Sequence, residues 1–223
     1  MRRLVILRPE PGATASLNRA GALGLDAIAM PLFGVHSLAW TPPDPDLFDA
    51  VLVTSANALR YGGADLARFR HLPLHAVGET TAEAARVAGF RHVSAGKSDI
   101  VELLGWFSPN LRLFHPCGRD HRDLSRAPQT VVSLPVYAAE ALPMPEDLAS
   151  IADAVVAVHS PRAGERLAEL TNAAGIDRST VHIAAISEAA AEAAGRGWAE
   201  VASAAEPNDS ALLELAARLC KKP

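Results

Sequence analysis

His75-Ala76-Val77-Gly78-Glu79-Thr80-Thr81-Ala82-Glu83-Ala84-Ala85 recurs as Ala184-Ala185-Ile186-Ser187-Glu188-Ala189-Ala190-Ala191-Glu192-Ala193-Ala194, 109 residues further on when Val77 is set against Ile186. Each copy reads as a short apolar strand, a turn of small residues and an Ala/Glu-rich helix. Such a turn leaves unpaired backbone N–H groups at a helix start, where they and the helix dipole favour an anion. The two copies predict two similar domains, each carrying an anion-holding turn.

Two further blocks extend the repeat. Val51-Leu52-Val53-Thr54-Ser55-Ala56-Asn57-Ala58 matches Val156-Ala157-Val158-His159-Ser160-Pro161-Arg162-Ala163 at an offset of 105, and Ser98-Asp99 with Leu103 matches Asn208-Asp209 with Leu213 at 110. Three ordered blocks at a nearly constant offset mark an internal duplication. Between them the pattern runs strand, helix, strand. Strands are expected at Leu4-Val5-Ile6-Leu7, 25–30, 48–53, 74–77, 91–94, 111–115, 131–137, 154–158, 181–186 and 200–202, and helices include 14–24, 99–107 and one from Asp209. This alternation predicts an α/β fold of parallel sheets flanked by helices.

Strand counting places the domain boundaries. Beyond Pro143 and Pro145 only three strands remain, too few for a covered parallel sheet, so the first two strands belong with them. The expectation is a discontinuous domain of residues 1–34 plus 139–223 and an inserted domain of residues 35–138, each with a five-stranded sheet. The chain then crosses twice, near 32–36 and 135–139, which would make a paired hinge.

Composition narrows the function classes. The chain of 223 residues is 49% hydrophobic and 21% charged with a formal charge of −4, which fits a soluble globular protein and lacks the basic footprint of a nucleic-acid binder. Met1-Arg2-Arg3 precedes an apolar run that Arg8 interrupts, too short for a signal sequence, and no later run reaches a membrane span. Two distant cysteines, Cys117 and Cys220, give no disulfide framework, so a cytoplasmic location is expected. No dinucleotide or P-loop fingerprint, nucleophile elbow or zinc-protease helix is present, so no cofactor is expected.

In open parallel sheets, ligands lie at the carboxyl ends of strands. The turns there are Arg8-Pro9, Thr54-Ser55-Ala56-Asn57, Gly78-Glu79-Thr80-Thr81, Pro116-Cys117-Gly118-Arg119, Ser160-Pro161-Arg162 and Ser187-Glu188. Their small residues admit a ligand close to the backbone and their hydroxyls and amides add donors, although the same residues are also the preferred helix caps. The run His115-Pro116-Cys117-Gly118-Arg119-Asp120-His121-Arg122 fits no zinc spacing and shows no orienting carboxylate for a thiol, so no metal is expected. Its arginines suit carboxylates or a solvated surface equally. Arg8 and Arg162 carry the same two readings. Tyr137, one of two tyrosines, ends a strand at the second crossing. It can offer a proton there or simply pack with its hydroxyl outward.

Taken in order, Leu7-Arg8-Pro9, Val53-Thr54-Ser55-Ala56-Asn57-Ala58, Val77-Gly78-Glu79-Thr80-Thr81-Ala82, Pro116-Cys117-Gly118-Arg119, Pro135-Val136-Tyr137 and His159-Ser160-Pro161-Arg162-Ala163 resemble the uroporphyrinogen-III synthases over nearly the whole chain. The resemblance implies two flavodoxin-like domains joined by a two-stranded connector, with the active site in the cleft between them. It implies cofactor-free cyclisation of hydroxymethylbilane to uroporphyrinogen III, with loss of water and inversion of the last pyrrole ring, on the way to haem, sirohaem, chlorophyll or cobalamin. The substrate is a polyanionic linear tetrapyrrole, suited to helix-start amides. A monomer, with transient contact to the preceding pathway enzyme, is the expected assembly, without nucleic-acid or membrane partners.

By the same resemblance Tyr137 matches the family's proposed proton donor. The substrate-contact expectations are Arg8, Thr54, Ser55, Asn57, Gly78, Thr80, Thr81, Gly118, Arg119, Ser160, Arg162 and Ser187. The second copy departs from the pattern at Ser187-Glu188-Ala189-Ala190, where the glycine and both hydroxyls are missing, so Glu188 is expected to face solvent. The competing class is a non-catalytic, two-lobed cytosolic sensor of a small anionic metabolite using the same turns.

Overall fold

A computed structural model describes residues 1–96 and 100–222. In chain order the elements are β1 (Leu4–Ile6), α1 (Gly12–Ala22), β2 (Ala27–Ala29), β3 (Phe33–Ser37), β4 (Ala50–Val53), α2 (Ala56–Tyr61), β5 (Leu74–Ala76), α3 (Glu79–Val87) and β6 (Val93–Ala95). There follow α4 (Ile100–Gly105), β7 (Arg112–Gly118), β8 (Thr130–Ala141), β9 (Val155–Val158), α5 (Pro161–Ala173), β10 (His182–Ala185), α6 (Glu188–Ala194), β11 (Glu200–Ser203) and α7 (Asp209–Lys221). The chain divides into two compact units, Met1–Gly34 with Glu140–Pro223, and Val35–Ala139.

The discontinuous unit holds a five-stranded parallel sheet in the order β11-β10-β9-β1-β2. Its central strands are buried on both faces, as a parallel sheet covered by helices requires. Alternate residues divide between two cores. Val5, Val156, Val158 and Ile183 pack with Leu167 and Leu170 of α5 and Ala190 and Ala194 of α6. Leu4, Ile6, Val155 and Ala157 pack with Leu212, Leu213, Ala216 and Leu219 of α7 and Ala20 of α1. The strand period of two thus decides which helix each side chain meets. Gly164 lets α5 approach α6, since a Cβ there would lie 2.8 Å from the backbone nitrogen of Ala194.

The continuous unit holds a sheet in the order β3-β8-β7-β4-β5-β6. Strands β4 to β8 are parallel. Backbone bonds from Leu38 N–H to the Val136 carbonyl and from Leu142 N–H to the Leu32 carbonyl, each 2.9 Å, make β3 antiparallel to β8. The sheet therefore has six strands rather than five, because the crossing segment Phe33–Ser37 pairs along the edge of β8. Phe114 anchors one face of the core, stacked on Phe69 at 4.3 Å and flanked by Phe48 and Trp40. Leu52 and Leu113 meet Ile100, Leu103 and Leu104 of α4 on the other.

The duplication is written into the pairing register. Val51 lies opposite Leu74 and Phe114, and Val156 lies opposite Ile183 and Val5. Strands β4, β5 and β6 therefore correspond to β9, β10 and β11, while β7 and β8, which close the continuous unit, correspond to β1 and β2, which open the chain. One half is a circular permutation of the other.

Three local expectations change. Strand β7 runs on through Pro116, Cys117 and Gly118, which read as a turn, because β8 pairs with it as far as Gly118 opposite Tyr137, with an irregularity between Cys117 and Gly118. Tyr137 accordingly lies within β8 and not at a strand end. Helix α1 spans Gly12–Ala22 rather than 14–24. Lys97, Ser98 and Asp99 lie outside the described residues, including the first half of the third repeat block and the expected start of the helix at Asp99. Among the described residues no helix is long and apolar enough to cross a membrane.

Candidate active site

In the continuous unit the chain leaves β4 towards β5 and β6 on one side and β7 towards β8 on the other, so the carboxyl ends of β4 and β7 form the topological switch point. A pocket of about 260 Å³ opens there, lined by Thr54, Val77, His115, Gly118, His121 and Tyr137, with Ile100, Asp120 and Arg122. The pocket exists because the strand-end residues are small while Tyr137 reaches in from the neighbouring strand. Gly118 is the condition for this: a Cβ there would lie 2.8 Å from Tyr137 Cζ and 3.0 Å from its phenol oxygen. The Arg119 N–H donates to the Tyr137 carbonyl at 2.9 Å and fixes the two backbones together.

His115 closes the floor at 1% exposure. Its Nδ1 is 2.9 Å from Ser133 Oγ and its Nε2 3.4 Å from Thr54 Oγ1. Burial, aided by the charge that His121 can carry 5.9 Å away, pushes its pKa down to about 4, so the imidazole is neutral at neutral pH. His121 Nδ1 sits 3.0 Å from the Gly118 carbonyl, which can only accept; the hydrogen is therefore on Nδ1. Cys117, beside them, is buried with its thiol pushed up to about 11. It is inert as a nucleophile at neutral pH. The pocket thus offers a phenol, a hydroxyl, two imidazoles, a carboxylate and a guanidinium.

The expected contact residues divide. Thr54, Gly118 and Tyr137 meet in this pocket. Ser55 caps α2, accepting from the Asn57 N–H at 3.2 Å, and the Asn57 amide oxygen accepts from Arg60 at 3.3 Å. Gly78 precedes α3 with nothing within 4 Å of a built Cβ, so no steric demand fixes glycine there. The two threonines point apart: Thr81 is buried, while Thr80 is exposed in a separate groove with Leu59, Arg60 and Val87. Of the opening stretch, only Val77 reaches the pocket. Arg119 is exposed.

In the discontinuous unit Ser160 and Ser187 cap α5 and α6, accepting from Ala163 and Ala190 N–H at 3.2 and 3.3 Å. The Arg162 guanidinium stands 4.8 Å over the ring of Phe33, and Glu188 is exposed. The equivalent switch point, at the carboxyl ends of β1 and β9, is occupied by Asp209. Its Oδ1 accepts from Ser16 Oγ at 2.7 Å, His159 Nε2 at 2.8 Å and Arg8 Nη1 at 3.2 Å, and its Oδ2 accepts from Arg19 at 2.5 Å. Burial raises the carboxyl's pKa, but the hydrogen bonds from His159, Ser16 and Arg19 outweigh it and hold the group well below the usual range. Arg8 is therefore ion-paired through Nη1 and partly exposed. Sequence reasoning passed over Asp209, His159 and Ser16. The signals were indirect: His159 stands in the second repeat block, and in the third Asn208-Asp209 reads as a helix start.

Comparison with known proteins places this architecture. The sequence model of the family described as uroporphyrinogen-III synthase HemD matches residues 15–214. No curated protein matches the chain. Among solved structures, a uroporphyrinogen-III synthetase from Helicobacter pylori 26695 is similar with a TM-score of 0.69 at 17% identity, covering 98% of this chain and 100% of that one. A variant of uroporphyrinogen III synthase from the extremely thermophilic bacterium Thermus thermophilus is similar with a TM-score of 0.56 at 17% identity, covering 100% of both chains. At such identities the structural likeness speaks for the fold, and the family match supplies the assignment. The chain belongs to the uroporphyrinogen-III synthase family and cyclises hydroxymethylbilane in tetrapyrrole biosynthesis.

Proposed function

We propose that the reacting end of hydroxymethylbilane is activated in the Tyr137 pocket, with the Tyr137 phenol as the proton donor. The observation that carries this reading is the seating of that phenol against Gly118 at the switch point, beside a neutral His115. The phenol protonates the leaving hydroxyl, the carbon–oxygen bond breaks and water departs, leaving an azafulvene cation. Attack by the substituted carbon of the last pyrrole ring forms a carbon–carbon bond and a spiro centre. The bond from that carbon to its original methylene bridge then breaks, leaving an azafulvene cation on the neighbouring ring, and the last ring's unsubstituted carbon attacks that methylene, so the ring is inverted. Restoring the aromatic pyrrole releases one proton, which returns to the phenolate and balances the cycle. A neutral His115 adds no positive charge of its own beside the cation, although the Arg122 guanidinium lines the same pocket. Orientation and exclusion of water do most of the remaining work, since the uncatalysed reaction closes without inversion.

Strand-end groups suited to the substrate's acetates and propionates are the helix-start amides following Gly78 and the guanidiniums of Arg8, Arg119 and Arg162. The strand order of the discontinuous unit, numbered within that unit, is 2-1-3-4-5, the flavodoxin order, and the continuous unit is its permuted counterpart, which supports reading both as flavodoxin-like domains. In this reading the enzyme is a cytoplasmic monomer that needs no cofactor.

The test is to supply purified protein with hydroxymethylbilane, oxidise the products and separate the porphyrin isomers. Isomer III is expected; isomer I alone, formed at the spontaneous rate, overturns the activity. Tyr137→Phe should lower turnover by roughly 10²-fold, the usual worth of a positioned acid, with an unchanged melting transition. Unchanged turnover would remove Tyr137 from the acid role.

A further inference from the structure

The two halves of the duplication use the same crevice differently: at β4 and β7 it is an open pocket, and at β1 and β9 it is filled by the protein's own carboxylate. We propose that Asp209 is a resident counter-anion that positions Arg8 as the receptor for one substrate carboxylate. This rests on the reading of Arg8 as a substrate contact.

Asp209 and Ser16 hold one end of the guanidinium, each within 3.2 Å of Nη1. Among the described residues Nε and Nη2 make no hydrogen bond, and the side chain stays 32% exposed. One edge of the group is therefore fixed, while the other, a two-donor fork of the kind that matches a carboxylate, runs beside Gly12 in a side chain that is still partly exposed. Gly12 lies against the guanidinium itself: a Cβ there would collide with Nε and fall 2.7 Å from Cζ and 2.8 Å from Nη2. A flexible arginine held in this way loses little freedom on binding, so affinity gained from the new contact is not spent on ordering it.

The arrangement also sets the charge. Two guanidiniums, Arg8 and Arg19, face one carboxylate, so the crevice keeps an excess positive charge for an incoming anion. His159, only 7% exposed, spends its Nε2 on Asp209 and leaves its buried Nδ1 without a partner among the described residues. With the carboxylate ionised, Nε2 must be the donor, and the imidazole braces Asp209 from the side away from solvent. Asp209 itself is 13% exposed and already has four donors around it among the described residues. It is a positioning residue, not a catalytic one.

Steady-state kinetics on the full chain with hydroxymethylbilane test this through Arg8→Gln, Asp209→Asn, their double variant and Gly12→Ala. Arg8→Gln should raise KM about tenfold, the worth of one charge-assisted contact, with kcat nearly unchanged. Asp209→Asn should raise KM in the same sense, and the double variant should be no worse than Arg8→Gln alone, because both act through one guanidinium. Gly12→Ala displaces only the flexible end of Arg8 with Asp209 intact, and should reproduce the KM effect; it decides the matter if Asp209→Asn does not fold. If Arg8→Gln raises KM while Asp209→Asn and Gly12→Ala do not, or if the effects of Arg8→Gln and Asp209→Asn add, the positioning role is wrong and the Arg8 contact stands. If Arg8→Gln leaves KM unchanged, the contact itself is wrong and the positioning role falls with it.

Discussion

Acidification should destabilise this protein through His115 before its carboxylates respond. The imidazole has a pKa of about 4 in the folded protein against an ordinary value of 6.5. Between those values the unfolded chain binds a proton that the folded chain refuses, so stability is full above the ordinary value and falls as pH drops towards about 4. Converting the gap gives a loss of about 3 kcal/mol, a sizeable part of the stability of a small domain. The conversion applies with little screening because the ring is 1% exposed. The assay is urea unfolding across this pH range for the unaltered chain and for His115→Gln, which keeps a polar group beside Ser133 and Thr54 but cannot titrate. Taking the difference cancels His75 and His182, whose pKa values burial also lowers and which act in the same window. Asp209 works in a lower range: its contribution is present above the ordinary carboxylate pKa and is lost only as pH falls below it. Parallel stability curves for the two proteins between neutral pH and pH about 4 would refute the reasoning, since a neutral buried imidazole has no other way to leave stability pH-independent.

Gly118→Ala should push the Tyr137 ring from its seat and lower turnover by roughly 10²-fold, at a stability cost of about 1–3 kcal/mol; normal turnover in the isomer assay would show that the phenol's position is unimportant. Arg178 stacks 4.7 Å over Trp198 and bonds Thr171 Oγ1 at 3.0 Å and the Arg196 carbonyl at 3.2 Å, tying α5 to the segment after α6. Arg178→Ala should therefore cost about 2 kcal/mol, read as a lower urea midpoint. Cys117 and Cys220 are both buried with their thiols raised, so a thiol reagent at neutral pH should label them only as fast as the protein opens. Rapid labelling of the folded protein would contradict their burial.

What is legible in the amino-acid order is what depends on neighbours along the chain. Apolar runs such as Leu4-Val5-Ile6-Leu7, separated by helix-forming stretches, specify doubly covered parallel strands, because such a strand has no polar face to show to water. The near-constant offset of the repeats revealed the duplication, and the order of the strand-end turns identified the family. Direction and distant pairing, by contrast, are set by the packed fold. Thr80 and Thr81 are adjacent, yet about 100° of helical rotation sends one to the surface and the other into the core. Pro116-Cys117-Gly118 has the composition of a turn and became strand because β8 pairs beside it. The opening stretch announced an anion site in both copies. In the fold the pocket of the continuous unit lies one strand over from that turn, where Gly118 makes room for Tyr137. The matching crevice of the other unit is closed by Asp209, 201 residues along the chain from Arg8. No local pattern encodes such a contact, because only the closing of the sheet between β1 and β9 brings the two together.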